Sequence, residues 1–332
     1  MLESTSTRRQ FLALSMAAAA GAAFVPGVSG RPAGAAEHFQ WRELAEGVWF
    51  IGGEGGNAML AASDHPALLV DCKNAPFGST LRREAESRGH PLKLVINTHH
   101  HADHSGGNYA FAEGPALIAH AKAAARIAQQ HDRYISQIRS ALSGASLPEA
   151  VKADLQQVRQ RIDQLAAADW APDETVQAGS AEWTLGKDTQ IEAHHFGAGH
   201  TDNDMVIRLP QRNILHAGDL LFHQMHPYFD PDGGVTCTGW AESVRRTIEL
   251  CDGETVVIPG HGEVTDVDGL KRQLDYLEQL WQEVGSLVKA GWDRERATTM
   301  SWGFMEGLER PQLRARAIGA VYDEHRAAQG GG

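Results

Sequence analysis

Asn97-Thr98-His99-His100-His101-Ala102-Asp103-His104-Ser105-Gly106-Gly107 sets four imidazoles and one carboxylate within six residues. It follows directly on the apolar run Leu92 to Ile96, which reads as a buried strand ending in a loop. A strand end can aim several side chains at one point, and imidazole and carboxylate are ligands for zinc or a similar divalent ion. The bland alternative is a histidine-rich surface loop. A tag-like run would sit at a terminus and lack the embedded Asp103, so metal chemistry is the reading carried forward.

Three later segments extend the pattern: Gly199-His200-Thr201, His216-Ala217-Gly218-Asp219 and Pro259-Gly260-His261-Gly262. With His99-x-His101-x-Asp103-His104 they make four elements in a fixed order, and in that order they resemble the metallo-β-lactamase superfamily. One short motif would be weak evidence; four in sequence are strong. The resemblance runs from about Val48 to Val264.

That resemblance implies an α/β fold, a metallo-β-lactamase-like αββα four-layer sandwich with a helical insertion. It implies that His99, His101 and His200 hold one metal, that Asp103, His104 and His261 hold a second, and that Asp219 bridges them. Three protein ligands per ion leave room for water, the count of a catalytic zinc site. The implied cofactors are two Zn2+ per chain, with iron or manganese as alternative ions. Asp71, at the end of the strand Ala67 to Val70, corresponds to an aspartate that supports the ligands from behind. Cys72 stands where a small polar residue is expected. His100 is the extra histidine of the run, expected to point away from the metals. His194, His195, His216, His223 and His226 read as core or surface histidines, with His226 and Tyr228 the weaker candidates for substrate contact.

The chain has 332 residues, enough for one large domain, and a formal net charge of −12, which argues against nucleic acid or an anionic membrane as its partner. A small-molecule substrate is expected. Residues 1–36 read as a signal peptide: Thr7-Arg8-Arg9-Gln10-Phe11-Leu12 is similar to a twin-arginine export motif. An alanine-rich run to Val25 follows, then small residues at Ala33-Gly34-Ala35. The expected partner is therefore the export machinery, and the expected location the periplasm or outside the cell. Cys72, Cys237 and Cys251 allow at most one disulfide.

Strands are expected at 47–51, 58–61, 67–71, 92–96, 116–120, 183–185, 190–194, 205–209, 213–216 and 256–258. Alternation with helices indicates layers. Gly52-Gly53-Glu54-Gly55-Gly56 is either a plain hairpin turn or a flap on the substrate side. From about 121 to 168 two helices are expected, with Ile127, Tyr134, Ile138 and Leu142 on one apolar face. They would form a cover for the sheet, a lid or a homodimer surface. Residues from about 266 to 328 read as helical.

Aspartate at 219 is similar to glyoxalase II-like thioesterases, lactonases and other broad hydrolases, whereas dedicated zinc β-lactamases often carry cysteine or a non-ligand there. The segment from Asp219 to Tyr228 resembles exported quinoprotein-associated metallohydrolases. The expected activity is dizinc hydrolysis of a lactone, thioester, ester or β-lactam by a metal-bridging hydroxide, with Asp103 as the catalytic residue that orients the water. The alternatives are an iron-dependent member of the same fold acting in sulfur or oxygen chemistry, and a phosphodiesterase.

Overall fold

The computed structural model describes residues 38–330 apart from 63–65, 89–90, 145–146, 178 and 188. The expected export signal, residues 1–36, lies outside them. One sheet runs in the order β1 (Gln40–Ala45), β2 (Val48–Gly52), β3 (Ala58–Ala61), β4 (Ala67–Val70), β5 (Leu92–Ile96), β6 (Ala116–His120) and β7 (Glu174–Val176). It is antiparallel from β1 to β4 and parallel from β4 to β7. The second sheet contains β8 (Gly179–Leu185), β9 (Thr189–His195), β10 (Val206–Leu209), β11 (Ile214–His216) and β12 (Val256–Ile258), in the order β12-β11-β10-β9-β8.

Period-two burial explains the layering. In β4 to β6, Leu69, Val95, Leu117 and Ala119 pack against α1 (Gly78–Glu86), α3 (Ala121–Gln129) and α4 (His131–Ser143), numbered after the one-turn helix α2 (Ala102–Ser105). Their neighbours Leu68, Val70, Ile96 and Ile118 are as deeply buried and face the other way, into the layer between the sheets. On the second sheet, Val206, Leu215 and Val257 pack under α6 (Cys237–Glu249), α7 (Val267–Lys289) and α9 (Arg314–Gly330). The result is the expected αββα sandwich.

Between residues 121 and 159 three helices form rather than two: α3, α4 and α5 (Glu149–Arg159), with an additional break at Gln130. Tyr134, Ile135 and Ile138 bury the apolar face of α4. A short α8 (Arg294–Thr298) precedes α9. Strands β1 and β7 have no counterpart in the expected set. Both lie at sheet edges, where a strand buries little and carries no sustained apolar alternation. Among the described residues no helix is long and apolar enough to cross a membrane.

Topology brings the motifs together. The parallel neighbours β4 and β5 end just before Asp71 and His99, while the parallel pair β11 and β12 ends just before Asp219 and His261. Two backbone bonds tie these ends across the sheets: Met205 N–H to Thr98 O at 2.7 Å and Asn57 N–H to Gly260 O at 2.7 Å.

Candidate metal centre

For His99, His101 and His104 the tautomer follows from what the outer nitrogen touches. Thr98 Oγ1 spends its single proton on Asp71 Oδ2 at 2.8 Å, so His99 Nδ1, 3.1 Å from the same hydroxyl, must donate and Nε2 is left with a lone pair. His104 Nδ1 donates to Asp71 Oδ2 at 2.7 Å, and His101 Nε2 donates to Asp230 Oδ2 at 2.9 Å. The bare nitrogens are therefore His99 Nε2, His101 Nδ1 and His104 Nε2. Carboxylate or hydroxyl groups behind ligating histidines are the usual way such lone pairs are oriented.

These lone pairs converge. His99, His101, His200 and Asp219 form one group whose ligand atoms all lie within 4.8 Å of one another, and Asp103, His104 and His261 form another. Asp219 stands between them. Its Oδ2 lies 3.7 Å from His99 Nε2, 3.3 Å from His200 Nε2 and 3.5 Å from His261 Nε2, while Oδ1 lies 3.1 Å from His104 Nε2. Asp103 Oδ2 is 3.2 Å from His261 Nε2. His99 Nε2, His104 Nε2 and Asp219 Oδ1 are buried without any hydrogen-bond partner among the described residues. Orphaned polar atoms at this depth are costly, and three of them facing one another fit a site built for cations. All seven residues expected to ligate metal are thus in reach of a two-ion cluster.

The electrostatics divide along the same line. Burial pushes His99 well below the ordinary histidine range and His200 down to about 3, so both rings are neutral, as ligation requires. Burial also opposes charge on His104, yet Asp219, Asp71 and Asp103 raise it well above that range; Asp219 and Asp103 likewise raise His261. Carboxylates that favour a proton there favour a metal ion in its place.

Glycines let the ligands approach their surroundings. A Cβ on Gly56 would fall 2.1 Å from the His104 ring, and one on Gly260 would fall 1.9 Å from Asp219 Oδ1. The glycine-rich segment 52–56 thus braces His104 from the side, with Gly56 N–H bonded to Asp103 O at 3.0 Å. None of its residues lines the cleft above the ligands, and it joins the antiparallel strands β2 and β3 as the hairpin connection that was the other expected reading.

The sequence model of the metallo-beta-lactamase superfamily matches residues 51–261, more than half of the chain. The chain belongs to that superfamily. It is 30% identical over 89 residues to the type 2 metallo-beta-lactamase of Bacillus cereus, a stretch covering 27% of this chain and 35% of that protein. The same enzyme type from Bacillus sp. (strain 170) is 30% identical over 90 residues, with the same coverage of 27% and 35%. The match therefore spans about a third of the length of these curated relatives. Among solved structures, DIM-1 metallo-beta-lactamase aligns with a TM-score of 0.53 at 18% identity, covering 73% of this chain and 97% of that one. The metallo-beta-lactamase from Pontibacter korlensis aligns with a TM-score of 0.54 at 20% identity, covering 73% and 99%. Both likenesses speak for the superfamily fold.

Above the ligands this member of the superfamily opens a cleft of about 860 Å³. His101, Asp103, Asp219 and His261 reach its floor, Phe222 and Tyr228 form an aromatic wall, and α3, α4 and the segments 230–233 and 310–316 contribute further lining. His226 is placed elsewhere: it is 2% exposed, its Nδ1 lies 3.0 Å from the Tyr276 hydroxyl, and it does not line the cleft. His100 stands outside the two groups formed by the seven expected ligands, its Nδ1 3.0 Å from Asn203 Nδ2 and its backbone N–H donating to Asn203 Oδ1 at 3.1 Å. Yet it lines the cleft and forms a third group with His101 and Asp230 whose ligand atoms lie within 4.8 Å of one another. Cys72, Cys237 and Cys251 are all free thiols.

Several supporting residues escaped the sequence reading. Asn57 Nδ2 donates to Pro259 O at 2.9 Å and Gly262 O at 2.8 Å, clamping the turn that carries His261. His216 Nδ1 accepts from Gly218 N–H at 3.1 Å and its Nε2 donates to Asn57 O at 3.1 Å, joining that clamp to the Asp219 turn. Buried Lys73 donates to Ile51 O and Gly56 O, each at 2.7 Å. Asp230 lies 129 positions from His101 and carries no motif of its own, so only the folded chain pairs them.

Proposed function

We propose that this protein is a dinuclear zinc-dependent hydrolase of a small acyl substrate: a lactone, thioester, ester or β-lactam. The observation that carries this reading is Asp219, which stands 3.1 to 3.7 Å from four histidines drawn from both triads and so can bridge two ions. When bound, the two cations supply Lewis acidity at an acyl oxygen and bring the pKa of water toward neutrality.

The chain's own residues do the rest. Burial works against ionised Asp103, but His104 and His261 hold its carboxyl well below the ordinary range, so it is a carboxylate at neutral pH. Its side chain is 32% exposed and lines the cleft, where it can orient an attacking water and take up its proton. Asp230, held down to about 2 by its bond to His101, keeps that ring in the ligating tautomer. Phe222 and Tyr228 offer the apolar part of the substrate a wall to lie against.

Protein purified without added metal should contain two equivalents of zinc by mass spectrometry of the elements. It should hydrolyse members of a panel of lactones, thioesters and β-lactams, while Asp103→Ala loses turnover and keeps its far-UV circular dichroism. Iron in place of zinc without hydrolysis, or cleavage confined to phosphodiesters or sulfate esters, would overturn the proposal. We also propose delivery to the periplasm or beyond, on the strength of Arg8 and Arg9; replacing both with lysine should leave the protein in the cytoplasm.

A further inference from the structure

The chain carries a formal charge of −12, yet its cleft is ringed by four arginines, Arg126, Arg133, Arg310 and Arg316. Two of the four are engaged. Arg126 grips Asp202 through Nε at 3.1 Å and Nη2 at 2.9 Å, and Arg316 lies 3.5 Å from Asp230 and 4.5 Å from the centre of the Tyr228 ring. Arg133, exposed on the first turn of α4, and Arg310 have no carboxylate partner among the described residues.

Arg310 is the more telling of the pair. It adopts φ +56, a left-handed conformation that an arginine rarely takes, directly before the turn Pro311–Leu313. That conformation brings Arg310 Nη2 to 3.4 Å from His261 Nδ1. A guanidinium has only donors, and one long contact to a ring nitrogen leaves most of them unspent. The carboxylates in the lining do not fill the gap: Asp103 and Asp219 belong to the ligand cluster and Asp230 to His101 and Arg316, which leaves only exposed Asp232 on the rim. Arg133 lies on α4, inside the stretch 51–261 that matches the superfamily, and Arg310 lies beyond residue 261, where that match ends.

We infer that Arg133 and Arg310 form an anion subsite, and that the substrate is an acyl compound carrying a carboxylate away from the bond that is cleaved. The inference rests on the hydrolase reading for the reaction but not for the binding. The lining sets four arginines against four aspartates, so the draw for an anion is local to the two arginines that have no carboxylate partner among the described residues, rather than a net charge of the cleft. Among the candidate acyl substrates, those with a free carboxylate should be preferred over neutral lactones or esters.

The test compares meta-acetoxybenzoate with its neutral primary amide, meta-acetoxybenzamide, both of which carry the aryl acetate as their one ester bond. It also measures, by calorimetry on the metal-loaded protein, binding of meta-acetamidobenzoate and meta-acetamidobenzamide, which have no ester to cleave. Wild type should favour the carboxylate by roughly tenfold or more in kcat/KM and in affinity, and Arg133→Gln and Arg310→Gln should each shrink that ratio by roughly tenfold. Arg133→Lys should restore part of it. A ratio near one in wild type, or a ratio unchanged in both glutamine variants, overturns the subsite. If neither ester is cleaved but arginine-dependent binding of the carboxylate persists, the subsite stands and the hydrolase reading falls. Cleavage without charge preference removes the subsite and leaves the hydrolase reading in place.

Discussion

Replacing Asp71 with asparagine should uncouple one half of the metal centre while leaving the chain folded. Asp71 is fully buried at φ +65, a conformation asparagine tolerates, so the swap is nearly isosteric and does not add backbone strain. The amide oxygen can still accept Thr98 N–H, now at 2.8 Å from Oδ1. The amide nitrogen, however, takes the place of Oδ2 and meets His104 Nδ1 at 2.7 Å, donor against donor. His104 can relieve this only by moving its proton to Nε2, the nitrogen that faces Asp219 Oδ1 at 3.1 Å and would bind metal. The lost charge-assisted bond is worth about 1.5–3 kcal/mol, or roughly ten- to a hundredfold in metal affinity. Dialysis against a graded chelator series, with metal counted by mass spectrometry, should show the weaker ion lost first and much earlier than in wild type. Far-UV circular dichroism should remain native. If both ions bind within about twofold of their wild-type affinities, His104 is not a ligand held by Asp71 and the tautomer reasoning fails.

Gly260→Ala should empty the centre, because its Cβ would sit 1.9 Å from Asp219 Oδ1, whereas Gly303→Ala, whose Cβ would meet nothing within 4 Å, should behave as wild type. Metal content and thermal midpoint read both, and equal behaviour would contradict the packing. Lys73 gives a pH signature. Burial lowers it from 10.5 to about 7 against the pull of Asp71, so folding releases its proton between those values and its penalty fades as pH rises. Relative to Lys73→Met, which strands two buried carbonyls at a cost of about 2–4 kcal/mol, wild-type stability in urea should climb across that window and stay level below it. A pH-independent difference would mean that Lys73 keeps its charge. Removing the ions with a chelator should lower the thermal midpoint and make it depend on free zinc concentration, since the orphaned atoms of His99, His104 and Asp219 then lose their partner.

The seven candidate ligands could be picked out because each stands in a short local motif at or near a strand end. Leu92–Ile96 delivers the run at His99, and Val256–Ile258 delivers His261. A strand's apolar run followed by histidine or aspartate is visible without knowing where the strand lies. The core strands were legible for the same reason, and the edge strands β1 and β7 were not, because little of their surface is buried.

What holds and surrounds the ligands depended on tertiary contacts. Asp230 reaches His101 across 129 positions, and Asn57 reaches Pro259 across 202. His226 and Tyr228 are two residues apart, yet one is buried against Tyr276 and the other lines the cleft. Arg133 and Arg310 line one cleft although one comes from the helical insertion and the other from the C-terminal segment. Candidate metal ligands are recognised by residue type and spacing, which the chain alone displays. Tautomers, clamps and cleft walls are set by which distant segments pack together, and only the folded chain decides that.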